Sequence, residues 1–487
     1  MQRSPAVKVS LVFIGLAVVC LGFADIAITT LHPWQELARL AYGLITPNFL
    51  AVESLGDALL KTMAFAFLGV AMGSSVGFAL ALVFHIRLVR SACAFVRAIH
   101  ELFWALIFLQ LFGFHPLTGI LAIGIPYAGI FAKLYAEILE EADPGPFQAV
   151  PYGSGHITTF FFARLPDVWA HVKTYTLYRL ECALRSSAVL GFVGLPTLGY
   201  YLQSAFYQGQ YSEVAALLVL FYALIATIPL WVRTRLLPLY LLTAPWVLGA
   251  ATAISMDHII RFLTQDIVPY PLRSGESWPG LSEWAWELLV NQALPGVAAT
   301  LILTQIALVA TGLIALTVFP LISRQFFGPW GRTLGHVVLV IARSTPEYIL
   351  AYIFLQLWGP SMLPAIIALA LHNGTIIGHL IGRYSDTITL RADSAHGINR
   401  YGYEIVPRLY GQFLAFLFYR WEIILRETAI LGVLGIHTLG FYVDSAIQDI
   451  RFDRALFLIL ITAFLNISID ALSRLIRARL RLKTIPE

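Results

Sequence analysis

Charge is scarce in this sequence. Asp, Glu, Lys and Arg make up 12% of the 487 residues, about half of what a soluble domain carries. Apolar residues make up 59%, and the mean hydropathy is +0.77. A chain of this composition is a polytopic membrane protein. Lysine is scarcer still: five of the 32 basic residues, the rest being arginine. The net charge of +4 gives no footing for nucleic acid. Cysteine is nearly absent. Cys20, Cys93 and Cys182 are odd in number and lie in or beside apolar runs, which suggests neither a disulfide framework nor a metal site. The phosphate-binding pattern G-x-x-x-x-G-K-[ST] does not occur. Lys61, Lys173 and Lys483 precede Thr without the required glycine. ATP, if it is used, must be bound elsewhere. Neither H-E-x-x-H nor G-x-S-x-G is found, so no catalytic centre is expected.

What is there is apolar helix. The hydropathy pattern predicts six spans in each half: 9–29, 56–85, 97–113, 117–136, 167–191 and 212–232, then 237–256, 292–322, 336–357, 362–382, 411–433 and 454–473. Each approaches the ~20 apolar residues of a bilayer crossing. The run 9–29 follows Arg3 and Lys8 and is read as an uncleaved span rather than a signal peptide. Arg87, Arg90 and Arg97, Arg233 and Arg235, Arg324, Arg332 and Arg343, and Arg474 to Lys483 fall on the same side as Arg3 and Lys8. By the positive-inside rule that side is cytoplasmic, with both termini in it. Segments 30–55 and 257–291 then lie outside. They carry Trp34, Tyr42, Tyr270, Trp278, Trp284 and Trp286, which read as interfacial anchors or as a landing surface for an external partner.

The chain repeats itself. Tyr178 to Ala205 and Tyr419 to Ala446 match at roughly half their positions with an offset of 241. Upstream the offset is 246: Arg97, Glu101 and Pro126 align with Arg343, Glu347 and His372, and the string IFLQL appears at 107 and at 353. An even number of spans separates equivalent positions, so the repeats are parallel and a pseudo-twofold axis along the membrane normal is expected. The halves divide at 1–235 and 236–487. The expected fold is all-α, with two parallel six-helix repeats and about twelve transmembrane helices.

Both repeat copies place charges inside apolar helix, where they are expensive and call for a reason. The first cluster is Arg179, Glu181 and Arg185; the second is Arg420, Glu422 and Arg426, with Glu427 beside it. At ~1.5 Å per residue from Pro166, Arg179 lies roughly 20 Å along its helix and Arg185 nearer 30 Å. Glu181 and Arg185 stand i and i+4 in the favourable order, as do Glu422 and Arg426. A self-neutralised structural pair and a cationic path for an anion are both open. Arg offers a fork that suits oxyanions. Ser186, Ser187 and Thr428 either line such a path or bond the helix backbone. His372, followed by Asn373, is either structural or a tuning group.

The third feature is a pair of long inside loops, about 137–166 and 384–410. Loops this long in a compact bundle usually carry function. The first reads Glu-Ala at 141, D-P-G-P at 143 to 146, Gly153 and then Leu-Pro at 165. With the Y-R-x-E-x-x-x-R of Tyr178 to Arg185 and the S-A-x-x-G-x-x-G that follows, it resembles the permeases of ABC importers, more narrowly the phosphonate transporter permeases. The resemblance covers most of both halves, and each half is about as long as one such permease. It implies a type I ABC-importer permease fold with two permease units fused in one chain. The loops would be coupling loops, with Glu141, Pro144, Gly145, Ala149 and Gly153 in the first and Asp393, Ala395 and Gly397 in the second.

The second loop departs from the family pattern. It lacks the P-G-P, and Gly397 precedes Pro407 by ten residues where Gly153 precedes Pro166 by thirteen. Pro196 and His437 stand where the family runs glycine-rich.

The resemblance further implies an inner-membrane transport subunit rather than an enzyme, serving a phosphorus oxyanion. Its partners would be two nucleotide-binding subunits, which carry the ATP and Mg, a substrate-binding protein, and the lipid bilayer. No cofactor, metal or nucleic acid is expected on this chain. A fused permease for thiamine or ferric iron and an ATP-independent transporter with parallel repeats are the rival readings.

Overall fold

The computed structural model describes residues 5–52, 54–143, 145, 150, 155–249, 253–275 and 278–482. Among them the structure is helical, with no strand. The helices of ten residues or more are α1 (Pro5–Leu21), α2 (Pro33–Ile45), α3 (Leu55–Leu82), α4 (Arg87–Ala98), α5 (Glu101–Phe112), α6 (Pro116–Glu140), α7 (Leu165–Val189), α8 (Leu198–Tyr207), α9 (Tyr211–Ala226), α10 (Leu237–Leu248), α11 (Trp278–Leu288), α12 (Leu294–Val318), α13 (Pro329–Ser344), α14 (Glu347–Trp358), α15 (Met362–Ser385), α16 (Val406–Val433), α17 (Leu439–Gln448) and α18 (Phe452–Arg479). Five continuous helical segments are long and apolar enough to cross a membrane, and eight if each sharply bent pair is one span.

Two of those pairs change the expected outline. The predicted spans 97–113 and 336–357 are not straight. α4 meets α5, and α13 meets α14, at 91°. The physical cause is a short extended stretch. Ile99 and His100 have ψ 130 and 145, and Thr345 and Pro346 have ψ 116 and 147. Proline disfavours helix at the residue before it, which is Thr345. In the first half, His100 accepts the Leu102 N–H on Nδ1 at 3.1 Å and so caps the new helix.

The helices fall into two compact units, Leu40–Gln265 and Met1–Arg39 with Asp266–Glu487. In the first, α10 lies on α3: the rings of Phe67 and Tyr240 are 5.1 Å apart, and the Tyr240 hydroxyl donates to the Trp231 carbonyl at 2.8 Å. In the second, α1 lies on α12. Gln305 donates to the Phe13 carbonyl at 2.9 Å, and Phe13 meets Phe418 and Trp421 edge-on at 5.1 Å each. α1 and α10 are thus each packed among helices distant in sequence.

Each unit is built on one close helix pair. In the Leu40–Gln265 unit, Gly69, Gly73 and Gly77 of α3 face Ile123, Tyr127 and Phe131 of α6, and a Cβ on Gly77 would stand 2.5 Å from that of Phe131. In the other unit the equivalent pair is α12 with α15. There Gly374, Gly378 and Gly382 belong to α15, and they face Ile314, Val318 and Ile322. Small residues every fourth position let helix backbones approach where apolar burial cannot drive association.

Candidate functional site

The duplicated stretch is a helix that runs into a tight bend. In the first half α7 ends in a 3-10 turn, Leu190–Val193, then Gly194 at φ +87, then α8, with a bend of 52°. In the second half α16 ends near Leu434, Gly435 has φ +89, and α17 follows. Only glycine takes that conformation readily. The flanking glycines answer a separate need. A Cβ on Gly199 would lie 1.8 Å from the Ala188 carbonyl oxygen, and one on Gly440 would lie 2.2 Å from that of Ala429. The bend therefore folds backbone onto backbone. Its far side is capped from another helix: Thr62 Oγ1 accepts the Leu198 N–H at 2.9 Å, and Thr300 Oγ1 accepts the Leu439 N–H at 3.0 Å. Sequence reading missed both threonines, which lie unmarked in apolar helix outside the aligned stretch.

The arginines sit on the helices before the bend. Arg179 donates to the Tyr175 hydroxyl at 2.6 Å, and its guanidinium lies 5.2 and 5.9 Å from the Tyr175 and Tyr178 rings. Arg185 reaches Cys182 Sγ at 3.6 Å. Glu181 and Arg185 are half-buried, as are Arg420, Glu422 and Arg426. The hydroxyls divide. Ser187 and Thr428 donate to the carbonyls of Leu184 and Leu425, at 2.8 and 2.6 Å, which is the backbone-bonded alternative. Ser186 instead donates to Glu101 Oε1 at 2.6 Å, with the Tyr127 hydroxyl 3.5 Å away.

At the matching place the second half carries other side chains. Ser186 becomes Glu427, Tyr127 becomes Asn373 and Pro126 becomes His372. Asn373 Nδ2 donates to Glu427 Oε2 at 2.8 Å, and Arg420 donates to Asn373 Oδ1 at 3.2 Å. His372 Nδ1 donates to the Thr345 carbonyl at 2.8 Å, and its Nε2 lies 3.8 Å from Glu347 Oε2. Glu101 and Glu347 were legible as repeated acids in apolar helix but were not singled out. Both face the charged helix that follows.

The two long loops differ in what holds them. Pro144, Ala149 and Gly153 lie outside the described residues. Glu141 is exposed, and the Gly145 N–H donates to Asp143 Oδ1 at 2.9 Å. In the second loop Asp393, Ala395 and Gly397 lie on a segment tied to one carboxylate. Glu404 accepts the Arg391 N–H at 2.8 Å and the Ser394 hydroxyl at 2.5 Å. The Ser394 hydroxyl foremost, then the Arg391 N–H, hold the Glu404 carboxyl below the usual carboxylate range, and Arg408 adds to this. Arg400 closes the segment through the carbonyls of Ala395 and Gln325, both at 2.8 Å. Gly397 has φ +63 in open space.

Residues 317–482 match the family described as binding-protein-dependent transport system inner membrane component. Over 236 residues the chain is 30% identical to the phosphite transport system permease protein PtxC of Stutzerimonas stutzeri, a match that spans 45% of this chain and 84% of that one. The chain belongs to the binding-protein-dependent transport permeases. This permease is also 24% identical over 416 residues to the phosphate-import permease protein PhnE of Mycolicibacterium smegmatis, covering 80% of this chain and 77% of that one. A stretch of 101 residues is 34% identical to the putative cryptic phosphonate transport system permease protein PhnE2 of Escherichia coli, covering 20% of this chain and 83% of that one. No solved structure matches the permease. It is a multi-pass inner-membrane transport subunit and not an enzyme, and permeases of this kind use no cofactor of their own.

Proposed function

We propose that this permease serves an ATP-driven importer of a phosphorus oxyanion: an organophosphonate, phosphite, hypophosphite or phosphate. The observation that carries the reading is the set of relatives, whose names give phosphate, phosphite and phosphonate as cargo. The half-buried arginines ahead of each glycine bend are consistent with it, because guanidinium groups suit such oxyanions. Glutamates beside them weaken the grip, as a transit path needs. Arg179, Glu181, Arg185, Ser186, Arg420, Glu422, Arg426 and His372 belong to that path. Ser187 and Thr428 shape the helix beside it.

Two permease units are fused in the chain. The 416-residue match runs through both halves, which supports this. Counting α1, α9, α10 and the charged α16 as spans with those already described gives six per half. Both termini are cytoplasmic. Two nucleotide-binding subunits with ATP and Mg seat on the loops near 137–166 and 384–410. A binding protein lands outside, where Trp34, Tyr42, Trp278 and Trp286 are exposed. ATP-driven closure of the two subunits switches access between the two faces.

The test is ATPase activity of the lipid-embedded complex with its cassettes and binding protein, across phosphonates, phosphite, hypophosphite, phosphate and thiamine. Stimulation by a phosphorus oxyanion is expected. Stimulation by thiamine alone discards the cargo, and uptake driven by an ion gradient without ATP discards the coupling. Gly153→Trp in the first loop should leave the membrane fold intact and abolish substrate-stimulated ATPase.

A further inference from the structure

The junction in the second half holds more than a hydrogen-bond network. We propose that Glu347, His372 and Glu427 form a site for one divalent transition-metal ion of the Mn2+ to Zn2+ class. One donor atom from each lies within 4.8 Å of the other two. They come from three helices: the first residue of α14, the middle of α15 and the last third of α16.

Three features of this arrangement fit a bound ion. The first is distance. His372 Nε2 and Glu347 Oε2 are 3.8 Å apart, beyond the ~2.7–3.2 Å of a hydrogen bond. Two ligands held at about 2.1 Å by one ion lie roughly 3–4 Å from each other. The second is the tautomer. The Thr345 carbonyl can only accept, so the 2.8 Å contact places a proton on His372 Nδ1, and in the neutral imidazole the lone pair then lies on Nε2, on the side of Glu347. That is the outer-shell arrangement which orients metal-binding histidines. Asn373 does the same for Glu427, from the side reached by Arg420. The third is the donor set: one imidazole nitrogen and two carboxylate oxygens, with His372 and Glu427 buried and Glu347 half-buried.

The first half supplies an internal contrast. Glu101 is retained there, and the Ser186 hydroxyl donates to it at 2.6 Å. Pro126 and Ser186 stand where the other two ligands would be. One ion per chain is therefore expected, in the second half alone. An imidazole nitrogen beside two carboxylate oxygens favours Mn2+ or Zn2+ over Mg2+ or Ca2+. The ion belongs to the fold and takes part in no reaction. It would pin the start of α14, just after the right-angle bend, to α15 and α16.

The experiment uses the full-length permease in detergent, grown with Mn2+ and Zn2+ and purified without chelator. Elemental analysis should find about one equivalent per chain. Chelation should lower the unfolding temperature by several degrees, and Mn2+ or Zn2+ should restore it. Glu427→Ser and His372→Asn, checked for folding by circular dichroism and gel filtration, should lose the ion. Glu101→Gln should keep it. A wild-type chain with no ion and no thermal response to Mn2+ or Zn2+ overturns the proposal. So does equal retention by Glu427→Ser and His372→Asn, which would mean an adventitious ion only. Because the readouts are metal content and stability, failure here is distinguishable from failure of the transport reading.

Discussion

The two compact units reach the same kind of packing from opposite sides. α3 packs on α6 in one and α12 on α15 in the other, but the glycine stripe is on α3 in the first and on α15 in the second. What the packing requires is a close approach, and either helix can supply the notch. The bend after α7 and α16 allows no such exchange. Gly191 and Gly199 match Gly432 and Gly440 one for one, because there backbone meets backbone and no side chain can give way. The charged junction lies between these extremes. The glutamate at the start of α5 and α14 is kept, while the residues beside it change from a serine to an imidazole and a second carboxylate.

The largest expected effect tests the bend. Gly199→Val and Gly440→Val should each destabilise by more than about 3 kcal/mol, read as loss of monodisperse protein on gel filtration. If only one is lost, the two bends are not equivalent. Next come Gly77→Leu and Gly382→Leu, at about 1–3 kcal/mol each from overpacking. Pairing Gly77→Leu with Phe131→Ala should recover part of that loss in thermal unfolding, since the added side chain meets Phe131. Arg185→Met and Arg426→Met should each slow substrate uptake by about tenfold, the loss of one charge-assisted contact. Wild-type rates in both would make those arginines structural. Thr62→Val and Thr300→Val should cost about 1 kcal/mol apiece, the worth of a helix cap, and equally in both halves.

The smallest effect concerns the loops. Glu404 titrates below its ordinary range, so its contribution is fully present at neutral pH and is lost as pH falls through that lowered value. Relative to the intrinsic rate at each pH, amide exchange over 389–404 should quicken only under acid, and Glu404→Gln should remove that acid-linked change. The first half has Ala163 at the matching position, so no acid-linked quickening of this origin is expected there.

Much of this was legible beforehand. The repeated glycines and the arginines within apolar helix were visible in one reading of the chain. For Ser187 and Thr428 the backbone-bonded alternative is the one the structure adopts, a local contact within one helical turn. Ser186, with the same hydroxyl and one residue away, points to another helix instead. Nothing in local spacing distinguishes these neighbours. Thr62 and Thr300 were invisible for the same reason, since each serves an amide more than 130 residues distant. The right-angle bends were read as straight spans because hydropathy averages over a break of two residues.

The amino-acid sequence alone determined that the chain is helical, membrane-embedded and internally repeated. Those properties follow from apolar content, from helical hydrogen bonding being satisfied within each segment, and from self-similarity at a fixed offset. Only the tertiary structure decided which helices meet, including the placement of α1 against α12 and α10 against α3, and which buried carboxylates share a junction. Periodicity says which face of a helix is to be covered. It does not say by what, because that choice depends on the packing of many distant side chains at once.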